Sequence, residues 1–149
     1  MLSDVQIQKK IEILSNKLKL SNFDEVISEA SLLLKKNKHQ VFFNILSLAY
    51  QSKGEFLKSE NIMNEALKLN PNNPYFLNNM GITQHKMGNF IKAEEYFFRG
   101  LKVVPNYINI LNNMGNLKKD LDQTDEALDL YKKSLSINPN IIQTLLNIS

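Results

Sequence analysis

The chain has 149 residues, 43% hydrophobic and 22% charged, with a net charge of +3. Such a composition suits a folded chain with a sizeable core and excludes a disordered one. It has no cysteine and only two histidines, His39 and His85, which excludes a disulfide framework, a thiol nucleophile and a thiolate metal site, and counts against a histidine metal cluster. The basic and acidic residues are interspersed. The densest basic run, Lys35-Lys36-Asn37-Lys38, reads as a solvated helix end, not as a nucleic-acid footprint. The N-terminal residues Met1 to Gln6 lack the apolar stretch of a secretory signal, and no stretch approaches the ~18 apolar residues of a membrane span. The expected compartment is therefore the cytoplasm.

Residues 1–39 predict two helices. The first carries the stripe Ile7, Ile11, Leu14 and Leu18, and the second runs from Phe23-Asp24-Glu25-Val26 through Ala30 to Leu33. From residue 40 onward a period appears. Pro71, Pro105 and Pro139 recur every 34 residues, as do Gly54 and Gly88, and Gly81 and Gly115. The run Leu77-Asn78-Asn79-Met80-Gly81 returns as Leu111-Asn112-Asn113-Met114-Gly115. Two helices per unit are expected in 40–73, 74–107 and 108–141. In the clearest unit, Leu77, Met80, Gly81 and Gln84 share one face of the first helix. Gly88 then stops it with a positive φ, and Asn89 is placed to cap the next. Phe90, Ala93, Phe97 and Leu101 form the stripe of the second helix, which ends before Pro105. The acidic pairs Asp24-Glu25 and Asp125-Glu126 open second helices and complement the helix dipole. Residues 142–149 begin a further first helix, with Leu145 and Ile148 at its core positions. The chain is thus expected to be a region of a longer protein; taken as a whole protein, its apolar end predicts self-association.

This pattern resembles the tetratricopeptide repeat family, a 34-residue helix–turn–helix unit. Unit 74–107 supplies Leu77, Met80, Gly81, Ala93, Phe97, Gly100 and Pro105 at the family's landmark positions. Unit 108–141 supplies Leu111, Met114, Gly115, Ala127, Tyr131, Ser134 and Pro139, and unit 40–73 supplies Phe43, Leu46, Ser47, Tyr50, Met63, Ala66 and Pro71. The resemblance implies an all-α, right-handed solenoid of antiparallel helix pairs, with residues 1–39 as a degenerate capping unit. Position 11 departs from the family, with Gln84 and Lys118 where an aromatic is usual, and predicts looser packing there.

In such arrays the first helices line a concave surface, and positions 2, 5, 6, 9, 12 and 13 lie opposite the core positions. The candidate groove residues are Asn44, Tyr75, Asn78, Asn79, Ile82, His85, Lys86, Asn109, Asn112, Asn113, Asn116, Lys119 and Asn147. Two ladders of period 34 stand out: Asn44, Asn78 and Asn112 at position 5, and Asn79, Asn113 and Asn147 at position 6. An asparagine amide offers two N–H donors and an acceptor, and a row of them is suited to a peptide backbone.

The expected function is a non-catalytic protein–protein interaction scaffold that binds a peptide segment in this groove, with no cofactor or metal. The alternative is a substrate- or partner-recruiting region of a larger transferase. It rests on similarity of Asn112-Asn113-Met114-Gly115-Asn116 to the repeat arrays of O-linked N-acetylglucosamine transferase and of bacterial glycosyltransferases and sulfotransferases. Neither a nucleic acid nor a membrane is expected as partner. A carboxylate clamp of the kind the family uses for chaperone tails is not expected, because positions 2 and 5 carry Val41, Tyr75, Asn109, Asn44, Asn78 and Asn112, none of them cationic. No phosphate-binding glycine loop, His-Glu metal motif or nucleophile elbow is present in the sequence.

Overall fold

The computed structural model describes residues 2–148, apart from the side chains of Ile142, Gln143 and Leu145. Helices joined by short turns make up the described residues, with no strand among them. They belong to two compact units, Met1–Pro71 and Asn72–Ser149.

The first unit holds α1 (Asp4–Lys19), α2 (Phe23–Lys36), α3 (Gln40–Ser52) and α4 (Phe56–Leu69). Ser3 and Gln6 open α1 with a reciprocal capping box, satisfying two orphan backbone donors. Consecutive helices pack against each other, and α1 also touches α3. Ile7 and Leu14 of α1, Val26, Ala30 and Leu34 of α2, Phe42, Phe43, Leu46 and Ala49 of α3, and Met63 and Ala66 of α4 are among its buried apolar residues. Residues 1–39, irregular as a sequence, form a helix pair in which α1 packs on α2 more sparsely than the later first helices pack on theirs. Of the predicted α1 stripe, Ile7 and Leu14 are buried, whereas Ile11 and Leu18 are only half-buried.

The second unit holds α5 (Pro74–Lys86), α6 (Phe90–Val103), α7 (Ile108–Asp120), α8 (Thr124–Ile137) and α9 (Ile142–Ile148). Phe76, Leu77 and Met80 of α5, Ala93 and Phe97 of α6, Ile110, Leu111 and Leu117 of α7, and Ala127 and Tyr131 of α8 are its buried apolar residues. The first helices lie close on the second ones. A Cβ on Gly81 would run into the Phe97 ring, and one on Gly115 into the Tyr131 ring. In α9, Thr144 is fully buried while Ile148 is 40% exposed, so Thr144 and not Ile148 turns inward. The other predicted core residue there, Leu145, lies outside the described side chains.

The same stop closes all four first helices of the complete pairs. Ser21, Gly54, Gly88 and Asp122 each take a left-handed φ between 59° and 79°. The amide after each reaches back five residues, as in Asn22 to Lys17, Glu55 to Tyr50, Asn89 to Gln84 and Gln123 to Lys118, the Schellman pattern. Asn89 does not cap α6 with its side chain as predicted. Its Nδ2 donates instead to Gln84 Oε1 at 2.9 Å. That bond also corrects the expectation of looser packing at position 11. Gln84 is 1% exposed and Lys118 8% exposed. The Lys118 ammonium meets Glu94 of α6 at 2.6 Å and Glu126 of α8 at 2.9 Å. Polar pairing replaces the usual aromatic without opening the interface. Among the described residues no helix is long and apolar enough to cross a membrane.

Candidate functional site

The candidate residues of the second unit sit on α5, α7 and α9. Asn73 fixes the start of α5, its Oδ1 accepting from the amides of Tyr75 at 2.9 Å and Phe76 at 3.3 Å, with Pro74 preset at the first helical position. Tyr75 follows, 54% exposed, its ring edge-on to Tyr107 with centroids 5.6 Å apart. Burial raises the pKa of the Tyr107 phenol, and a hydrogen bond with Asn109 partly opposes it. The first turns of α5 and α7 thus carry no charged residue.

Next come the asparagines, and here the rows divide. Asn78 and Asn112, expected to face a ligand, are only 8% and 6% exposed. Helical turns place position 5 in the seam between neighbouring first helices instead of on the open face. Both amides are already engaged: Asn113 Nδ2 donates to Asn78 Oδ1 at 2.9 Å, and Thr144 Oγ1 donates to Asn112 Oδ1 at 2.8 Å. Because the Thr144 proton is committed to Asn112, the 3.2 Å contact between Ser134 Oγ and Thr144 Oγ1 has Ser134 as donor. Asn79, Asn113 and Asn147 are half-buried, and Asn109 is exposed. The carbonyl of Asn79 accepts from Thr83 Oγ1 at 2.9 Å. Ile82, half-buried, packs on the core cluster of Ala93, Phe97, Ile110 and Leu117. Asn116 accepts from Tyr131 Oη at 2.6 Å.

The far ends of α5 and α7 carry the charges. His85 Nε2 lies 2.8 Å from Asp120 Oδ2 and its ring meets Phe90 edge-on. Asp120 belongs to the 108–141 repeat, so this pair joins α5 to α7 across neighbouring repeats. Lys86 and Lys119 are exposed, and the Lys119 ammonium donates to the Asn147 carbonyl at 3.1 Å. Among the described residues no group of three or more acidic or histidine side chains is placed to hold a metal ion.

Asn44 stands apart from these, on α3 of the first unit, half-buried. Near it on the same helix Leu48 is 47% exposed, and Ile45 is buried. Three side chains that organise the second unit's face escaped the sequence reading as site residues: Thr144, Ser134 and Tyr131. For Tyr131 a signal existed, since a tyrosine stands there where the preceding unit has Phe97. For Thr144 the signal was the 34-residue period, which puts it in register with Phe42, Phe76 and Ile110, all of them buried.

Tetratricopeptide repeat profiles match residues 41–73, 62–95 and 108–141. No curated protein matches the sequence. Solved structures do match in fold. A thermophilic TPR protein of Thermus thermophilus superposes with a TM-score of 0.85 at 19% identity, over 93% of this chain and 77% of that one. YrrB, described as a TPR protein with an unusual peptide-binding site, gives 0.73 at 16% identity, over 89% and 69%. The first TPR of Spaghetti (RPAP3), bound to the HSP90 peptide SRMEEVD, gives 0.67 at 16% identity, over 74% and 88%. Repeat profiles that together span most of residues 41–141, and the helix pairs with their common stops, place the chain in the tetratricopeptide repeat family.

Proposed function

We propose that this chain is a non-catalytic interaction scaffold whose second unit binds a polypeptide segment across the exposed side of α5 and α7. The observation that carries the reading is the division of the asparagines. Position 5 is spent inside the protein, which holds position 6 and its neighbours in place. Tyr75, Asn79, Asn109, Asn113 and Asn116 are left with accessible surface beside one another. An exposed aromatic next to amides held by neighbouring side chains is a set suited to a backbone and its occasional apolar side chain. Preorganised amides lose little entropy on binding. The peptide-binding site described for YrrB and the peptide bound to RPAP3 lend support at the level of fold only. The RPAP3 peptide is acidic, and its mode of capture does not transfer simply, because positions 2 and 5 of this chain carry no cation.

The test begins with a random displayed peptide library enriched on the immobilised wild-type chain. The dissociation constant of the most enriched peptide is then measured for Tyr75→Ala and Asn79→Ala, with Phe98→Ala on the outer face of α6 as control. Tyr75→Ala is expected to weaken binding about ten-fold, near 1.4 kcal/mol. Phe98→Ala is expected to leave it unchanged. Loss of binding in Phe98→Ala with both groove variants unaffected overturns the reading. The position-5 residues are unsuitable probes: Asn78→Ala strands the half-buried Asn113 amide and Asn112→Ala the buried Thr144 hydroxyl, the latter at about 1–3 kcal/mol of stability.

A further inference from the structure

The Tyr131 side chain is 2% exposed and runs from α8 beneath Gly115, where a Cβ would block the ring. Its hydroxyl thereby reaches Asn116 Oδ1, 2.6 Å away on α7. A phenol proton in this setting must be donated or left unpaired, and only the oxygen end of the amide can receive it. Burial, and secondarily the charge of Asp120, raise the phenol pKa and keep that proton in place. The amide of Asn116 is therefore fixed with its NH2 group turned away from Tyr131.

The repeats supply an internal comparison. At the two equivalent sites the pair is apolar on both sides: Ile82 with Phe97, and Leu48 with Met63. In the 74–107 unit Ile82 packs on the cluster that contains Phe97. An amide stands at position 9 only in the unit where position 24 supplies a hydroxyl beneath it. The amides beneath this face are spent within the protein. Asn78 Oδ1 is taken by Asn113 and Asn112 Oδ1 by Thr144. Those two amides lie in the seam, and Asn113 spends a donor there, so of these amides it is Asn116 whose outward end is fixed as a donor.

We propose that Tyr131 is a positioning residue for recognition: it fixes Asn116 as a donor, so that Asn116 meets a polypeptide segment through an acceptor oxygen, a backbone carbonyl foremost. This rests on the groove reading above and narrows it, since an unconstrained asparagine serves backbone N–H and C=O alike. Asn116 would touch the segment; Tyr131 would act through Asn116.

The test uses the full chain and the same library-enriched peptide, with Asn116→Asp, Asn116→Ala, Tyr131→Phe and the double variant. Asn116→Asp keeps an acceptor for Tyr131 and replaces the outward donor with a carboxylate oxygen. It is expected to weaken binding about ten-fold or more. Tyr131→Phe installs the side chain native at the equivalent position 97, so the fold has a precedent for it. It is expected to weaken binding about three-fold in the wild-type background and not at all in the Asn116→Ala background. Equal weakening in both backgrounds would make Tyr131 merely structural and overturn the proposal. Unchanged binding by Asn116→Asp would overturn it too. If Tyr75→Ala weakens binding while the Asn116 variants do not, the proposal falls and the groove reading stands. If no peptide is enriched, or Tyr75→Ala and every Asn116 variant bind like the wild type, both fall.

Discussion

Four residues close the first helices in a conformation that most side chains resist. Gly54 and Gly88 adopt it without strain, and both were legible as helix stops from their spacing. Ser21 and Asp122 occupy the same place, at φ 60° and 59°, and were not legible, because serine rarely takes a left-handed turn and aspartate, which tolerates one, is common in many other conformations. The remaining geometry of the turn, not the residue, dictates the angle there. Ser21→Gly is therefore expected to stabilise the chain by about 0.5 kcal/mol, read as a rise of ~1–2 °C in melting temperature. Asp122→Gly should gain less, since aspartate tolerates this region better. Gly88→Ala should cost about 1 kcal/mol, and the cost is purely conformational, because an added Cβ there meets no atom within 4 Å. Equal stabilities for all three variants would show that these turns relax freely.

Between elements, two kinds of contact hold neighbouring helices together. The close approaches at Gly81 and Gly115 were readable from their period, and what they approach, the rings of Phe97 and Tyr131, is the stripe of the second helix. Gly115→Ala and Gly81→Ala are each expected to cost about 1–3 kcal/mol, because the buried rings have no free volume to retreat into. A shift of the denaturation midpoint worth less than about 0.5 kcal/mol would contradict this. The polar contact at Lys118 was not readable. Its partners Glu94 and Glu126 lie on the two flanking second helices, and no pattern within one helix connects them. Hydrogen bonds from Lys118 to Glu126 and Glu94 raise its pKa above the ordinary 10.5, although burial opposes them. A folded-state pKa above the unfolded one gives stability that is complete below about pH 10.5 and fades as pH rises through the folded value. Lys118→Met keeps most of the side-chain volume and removes the titration. Thermal melts across about pH 9–12 should show a shallower alkaline decline for Lys118→Met than for the wild type. Parallel curves would mean that the ammonium contributes nothing through its two carboxylates.

At the scale of the whole chain, period and landmark spacing carried the helix-pair repeat and most of each core. They could not carry which face of a first helix is open, since a turn of about 100° per residue separates seam from surface by a single position. That is why the row of Asn78 and Asn112 proved to be internal while Asn79 and Asn113 keep accessible surface. The difference matters for function. In the proposed face, Tyr75, Asn79, Asn113 and Asn116 keep accessible surface while Asn78 and Asn112 beneath them are hydrogen-bonded, the arrangement on which the proposed capture of a segment depends. The most direct measurement is a residue-by-residue amide NMR titration of the isotopically labelled chain with the library-enriched peptide. The predicted result is perturbation centred on Tyr75, Asn79, Asn113 and the side-chain NH2 of Asn116, with Ile91 and Phe98 on the outer face of α6 undisturbed. Perturbation centred on Ile91, Phe98 and Lys132, with α5 and α7 silent, would contradict it.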